Sequence, residues 1–159
     1  MKSRESTRRS IPQRYFNFYR LAAYALALFA LGHTLGALIN TPRLGPASDR
    51  VVDNMRSVEI IAQGARTSWY NFYLAFGYFD TVFFLFSMVV AWFLGGKPPR
   101  ERRALLPIAW GLFASQVLGL LIAQRFLFPI PIIFCGVLVL LLGAGCIRDS
   151  LVRPVAELK

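Results

Sequence analysis

The stretch Trp69 to Leu94, WYNFYLAFGYFDTVFFLFSMVVAWFL, contains no Lys, Arg or Glu and a single acid, Asp80. Wound as a helix it reaches ~39 Å, more than the ~30 Å hydrocarbon core of a bilayer. A run this apolar has no polar face to give to water. In lipid it has to be helical, because each backbone N–H and C=O needs a partner inside the segment. Three further runs follow the same rule: Tyr19 to Asn40, about Ala104 to Gln124, and about Ile130 to Cys146. The predicted fold is an all-α integral membrane protein, a four-helix transmembrane bundle forming one domain over residues 1–159. Short connections make spans two, three and four antiparallel neighbours.

Composition supports this and removes other classes. The chain is 56% hydrophobic and only 16% charged, whereas soluble domains carry about 25% charged residues. The net charge of +10 raises the question of nucleic acid. The basic residues, however, lie between the apolar runs and not along a stripe with aromatic platforms, so no nucleic-acid partner is expected. Thirteen of the 18 Lys and Arg residues fall in the N-terminal segment, the connection 95–103 and the C-terminal segment. The positive-inside rule then puts both termini in the cytoplasm. Residues 1–18 read as a basic cytoplasmic tail. They are not read as a cleaved signal, because the apolar run continues past His33 and three more spans follow.

The first loop has its own pattern. Val51, Val52, Met55, Val58, Ile61 and Ala62 recur at helical spacing, with polar residues opposite. This predicts an amphipathic helix over 49–63 on the outer surface, capped by Ser48 or Asp49 and ended by Gly64. Thr67 or Ser68 is the expected cap of span two. In span one Gly32 and Gly36 form a small-residue pair suited to close helix approach. In span three the stripe Ala109, Leu112, Gln116, Gly119, Ala123 is small with one polar group. Cys135 and Cys146 are too far apart along one helix to bond and are expected as buried thiols. No metal or cofactor is expected: there is no paired ligand spacing, and one histidine makes a weak case for haem. The G-x-S-x-G, H-E-x-x-H and phosphate-loop patterns are absent.

Chemistry is therefore sought in the few polar residues inside the spans. An ionisable group there costs roughly 2.5–3.5 kcal/mol on insertion scales, so a partner or a function is expected. Counted from the outer ends, His33 lies ~10 Å deep, Gln116 ~12 Å and Asp80 ~16 Å. The three can meet in the outer half, with Asp80 orienting His33 as acid, base or proton carrier. One alternative is that Asp80 bonds His33 or Tyr73 simply to fix helix register; another is that Asp80 snorkels or lies in a locally wet groove, leaving His33 alone. A shallower set, Asn40, Arg56, Glu59, Arg66, Asn71 and Gln124, can form a polar mouth, with Arg66 near an opening helix end suited to an anion.

The segments ALFALGHTLGAL and NMRSVEIIAQGARTSWYNFYLAFGYFDTVFFLF resemble a family of small uncharacterised bacterial four-span membrane proteins with a Gly-His-Thr motif in the first span. The matching positions are Gly32, His33 and Thr34; Met55, Val58 and Gly64; and Asn71, Phe72, Tyr73, Phe76 and Gly77. Arg66 follows Gly64 one residue sooner than in the family pattern, and Asp80 has no counterpart in it. The resemblance implies a bacterial inner-membrane location and no particular activity, and it favours His33 with the Arg66–Asn71 region over Asp80. Three functional classes follow. One is binding or transforming a lipophilic small molecule in an outward-facing pocket. Another is an accessory subunit packing on a membrane-protein partner or on its own copies. The third is a carrier, for which no internal repeat is present.

Overall fold

The computed structural model describes residues 16–39 and 44–152. Four helices among them are long and apolar enough to cross a membrane, and the protein is a multi-pass, all-α membrane bundle. The first span is α1, Phe18–His33, continued as a π-helical segment Thr34–Ile39. The others are α3, Trp69–Gly96, α5, Leu106–Phe126, and α6, Pro129–Ser150. Between the first two lie α2, Pro46–Ser57, and a hairpin of β1, Glu59–Ala62, with β2, Ala65–Ser68. A short helix, α4, Pro99–Ala104, joins α3 to α5. One face of the bundle is thus the hairpin end; the other is the terminal end.

Local chemistry sets the ends of these helices. Asn17 accepts from the Arg20 amide at 3.2 Å and donates its own amide to the Gly95 carbonyl at 2.8 Å, so one side chain caps α1 and ties it to α3. Ser68 caps α3 by accepting from the Asn71 amide at 3.3 Å, as expected. Helices α4, α5 and α6 each carry a proline in the first turn, where a missing N–H costs nothing. The π-helical turn starts at Thr34, whose hydroxyl donates to the Ala30 carbonyl at 2.8 Å. Such back-bonding bends helices and relaxes their ladder.

The first loop departs from the amphipathic helix 49–63. Helix α2 runs only from Pro46 to Ser57, with Gly45 and not Ser48 or Asp49 at its N-cap. The chain then turns extended and pairs Glu59 with Ser68 and Ile61 with Arg66. Gln63 and Gly64 both have positive φ, 52° and 84°, which makes a turn of the I′ type suited to a two-residue hairpin. Gly64 closes this turn and does not end a helix. The β-branched Ile60 and Ile61 favour the strand, and their spacing from Val58 matched a helical face only by coincidence.

Helix α1 sits centrally, packed against α3 on one side and α6 on the other; α5 packs on α6 and touches α3 only briefly. The continuous core comprises Tyr19, Ala22, Ala23, Leu26, Ala91, Leu94, Ala109, Leu112, Leu138, Leu142 and Cys146. The buried residues of α3 are Ser87, Ala91, Leu94 and Gly95, all in its terminal half. Close approach there depends on glycine. A Cβ on Gly145 would stand 2.9 Å from the Tyr19 ring, which is itself fully buried. Gly145→Ala is therefore expected to cost about 1–3 kcal/mol by overpacking, read as a lower melting temperature in detergent. By contrast, Gly32 and Gly36 have open space beside them, so the small-residue pair of span one packs on no described helix.

Candidate functional site

The polar residues singled out from the sequence separate into three places. At the hairpin end, Glu59, Arg66 and Asn71 do come together, with Arg56, Thr67, Ser68 and Tyr70, around an open recess of about 350 Å³. Arg66 faces Glu59 at 3.9 Å, with both side chains more than two-thirds exposed. Arg56 donates to the Tyr70 hydroxyl at 3.2 Å and covers its ring at 4.4 Å. That hydrogen bond pushes the Arg56 guanidinium further above its ordinary range, so it stays charged. Exposed pairs of this kind contribute little. Asn40 lies outside the described residues.

His33 belongs to the seam between α1 and α3. Its Nε2 lies 3.1 Å from the Gly77 carbonyl. A carbonyl only accepts, so Nε2 carries the proton and donates. The Thr81 hydroxyl lies 3.2 Å from the same carbonyl and 2.9 Å from Thr34 Oγ1; with Thr34 donating to Ala30, the single Thr81 proton serves one of these two acceptors at a time. The Tyr73 hydroxyl reaches the Ala37 carbonyl at 3.5 Å, also across this seam. Gly77 leaves room for Leu38, whose side chain would collide with any Cβ there. This network fixes the register of two helices. Interhelical hydrogen bonds in membranes average roughly 0.6 kcal/mol and reach ~2. His33→Ala is expected to lose about 1 kcal/mol of stability, measured by thermal unfolding in micelles.

Gln116 is 1% exposed and donates to the Ser87 hydroxyl at 3.4 Å, the polar link between α5 and α3. It meets neither His33 nor Asp80.

Asp80 makes no hydrogen bond and no ion pair among the described residues, and it is exposed. Its direction is the informative part. On a helix, residues seven apart differ by only about 20°, so Asp80 points the same way as the buried Ser87. It stands at the centre of the stripe that α3 buries one turn and more further on, with Ala91 and Leu94. Its neighbours on that stripe, Phe76 and Phe83, are exposed at 67% and 38%. On the hairpin side of Ser87 the stripe is covered along one flank only, where Phe84 packs against Phe29 of α1. Behind Asp80 stand three rings: Phe29 against Phe84 at 4.7 Å and stacked on Phe134 at 4.8 Å.

The opposite wall of this gap is α5. Phe113, about 60° to one side of Gln116, packs over Gly143 of α6. Gly119 lies about 60° to the other side, beside α3, and a Cβ there would meet nothing. The Ser115 hydroxyl is satisfied within its own helix by the Leu112 carbonyl at 2.7 Å. Gly111, Ser115 and Gly119, four residues apart, form a smooth flank with no neighbour at either glycine.

A further polar cluster, at the terminal end, was not foreseen. Asp149 is 0% exposed and receives Arg102 on both oxygens, from Nε at 2.7 Å and Nη2 at 3.3 Å. Arg102 Nη1 donates to the Lys97 carbonyl at 2.6 Å, and Arg148 flanks Asp149 at 3.6 Å. The Tyr19 hydroxyl lies 3.9 Å from Cys146 Sγ, and Arg102 sits 5.8 Å from the Tyr19 ring. A signal for Asp149 existed. Pro131, Cys135, Leu138, Leu142 and Cys146 are a buried stripe at helical spacing, and Asp149 continues it.

Among the described residues no group of three His, Cys, Asp or Glu side chains is placed to hold a metal ion. No protein-family model matches the chain, and neither a curated protein nor a solved structure matches it at a significant level.

Proposed function

We propose that this protein is an accessory subunit of a membrane complex, and that it holds its partner on the side left open between α3 and α5. The observation that carries this reading is Asp80: a carboxylate near mid-span, aimed along the core-facing stripe of α3, with no described partner. An acid at that depth has to be neutralised or covered. Gly119 of α5, about one turn from the depth of Asp80 and with open space beside it, supports the same reading, because a small residue admits a neighbouring helix closely. The charge distribution supports both termini in the cytoplasm, with the hairpin end facing outward, and the resemblance to small bacterial four-span proteins supports an inner-membrane location.

His33, Arg66 and Asn71 do not form one pocket with Asp80, which weighs against an acid–base site. A lipophilic-ligand reading has one observation of its own, the Phe29, Phe84 and Phe134 rings that back the gap. Mass spectrometry of the complex released from native membranes separates the readings. The subunit reading expects a second polypeptide retained by the wild type and released by Asp80→Leu. A small-molecule adduct of an otherwise single 17.9 kDa chain replaces it with the ligand reading. A multiple of that mass means self-association.

A further inference from the structure

We infer that the gap between α3 and α5 receives one transmembrane helix of another protein, bearing a Lys or Arg at the depth of Asp80. This rests on the accessory-subunit reading and adds what the partner must carry.

Three observations lead to it. Charge comes first. Asp80 is ~16 Å along α3 from Trp69 and ~24 Å from Gly96, so its counter-charge has to be delivered inside the bilayer. The chain's own spans hold no cation at that depth. Arg20 and Arg148 lie at the terminal end, and Arg125 lies at the hairpin end against Phe126. The only other titratable cation in the spans, His33, is bonded to Gly77. A second copy of this chain therefore supplies nothing for Asp80, and pairing two copies across the gap sets acid towards acid. A helix with one basic residue satisfies it.

Shape comes second. One wall of the gap carries Phe76 and Phe83; on the other, Gly119 leaves open space between the Gln116 level and the exposed Ile122 and Phe126. A helix backbone can approach at Gly119 and send a long Lys or Arg side chain across to the acid. The stem of such a side chain is apolar and suits the aromatic backing of the gap.

The third is the absence of competing donors. The amide of Gln116 is used by Ser87, and the Ser115 hydroxyl by Leu112. No described Lys, Arg or His side chain forms an ion pair with Asp80.

The test uses defined probes. The full chain is reconstituted in phosphatidylcholine vesicles with a synthetic poly-leucine helix carrying one central lysine, and association is read by energy transfer. An all-leucine helix, a helix with the lysine moved two turns, and a long-chain alkylammonium serve as comparisons. The expected result is that the central-lysine helix binds at least tenfold more tightly than the all-leucine helix. Asp80→Asn and Gly119→Leu each remove that advantage, while the melting temperature of both variants stays within a few degrees of wild type. Equal binding of the lysine and leucine helices, lost in Gly119→Leu, overturns the charge requirement and leaves the subunit reading standing. Binding of the alkylammonium alone, dependent on Asp80, overturns both in favour of a small cationic ligand. No association of any probe overturns both as well.

Discussion

Asp149→Ala is expected to lower the stability of the bundle by about 3–5 kcal/mol, the usual cost of stripping one partner from a buried ion pair. The substitution leaves the Arg102 guanidinium, itself 5% exposed, without its carboxylate. The effect extends beyond one contact. Arg102 bridges from α4 to α6 and, through its second arm, to the end of α3 at Lys97. Arg148, beside Asp149, donates to the Phe16 carbonyl that leads into α1. One carboxylate thus gathers α6, the end of α3, the short helix α4 and the segment that enters α1 at the terminal end. Desolvating both charges is expensive, so the pair itself need not add net stability. The double variant Arg102→Met, Asp149→Leu is accordingly expected to recover most of the loss. Unfolding free energies of the two singles and the double give a large coupling term if the pair acts as a unit.

Asp80→Leu is expected to do the reverse in the isolated protein. Here the acid has no described partner to lose, and removing it relieves an insertion cost of roughly 2.5–3.5 kcal/mol. The predicted outcome is a more stable single chain that no longer retains its partner. The sign is decisive. A register-fixing hydrogen bond from Asp80 would make the same substitution destabilising. Unfolding in the same micelle, wild type against variant, reads the sign directly.

Much of the scaffold was legible because lipid removes alternatives. Four apolar runs of this length form helices, and of the stripe Ala109, Leu112, Gln116, Gly119, Ala123 all but Gly119 are buried. Ser68 is the cap of α3 for the reason any serine before a helix is suspected. The hairpin was not legible, because Val58 and Ile61 fit a helical face as well as a strand. Only Gly64, with the β-branched pair Ile60 and Ile61, pointed the other way. The candidate site failed on a different ground. Depth along a span can be counted, but the face has to be known too. Gly77 and Asp80 differ by about 60° around α3; His33 took the Gly77 side, and Asp80 was left facing the gap. Asp149 was hidden by a polar tail that masks how far the α6 stripe runs.

Asp80 looks out of the bundle at mid-membrane although it lies on the core-facing stripe. A nitroxide placed by Asp80→Cys, in protein reconstituted alone, tests it most directly. The native cysteines are both buried, and wild-type protein labelled in parallel measures their contribution. Oxygen dissolves in the lipid core, so its collision rate with the label reports exposure to lipid. Phe79, 70% exposed, and Ser87, 1% exposed, give the two reference positions when changed to cysteine in the same way. An outward-facing Asp80 gives a collision rate at position 80 close to that at 79. A rate close to that at 87 would mean that α5 or another part of the chain closes over the acid, and would contradict that orientation.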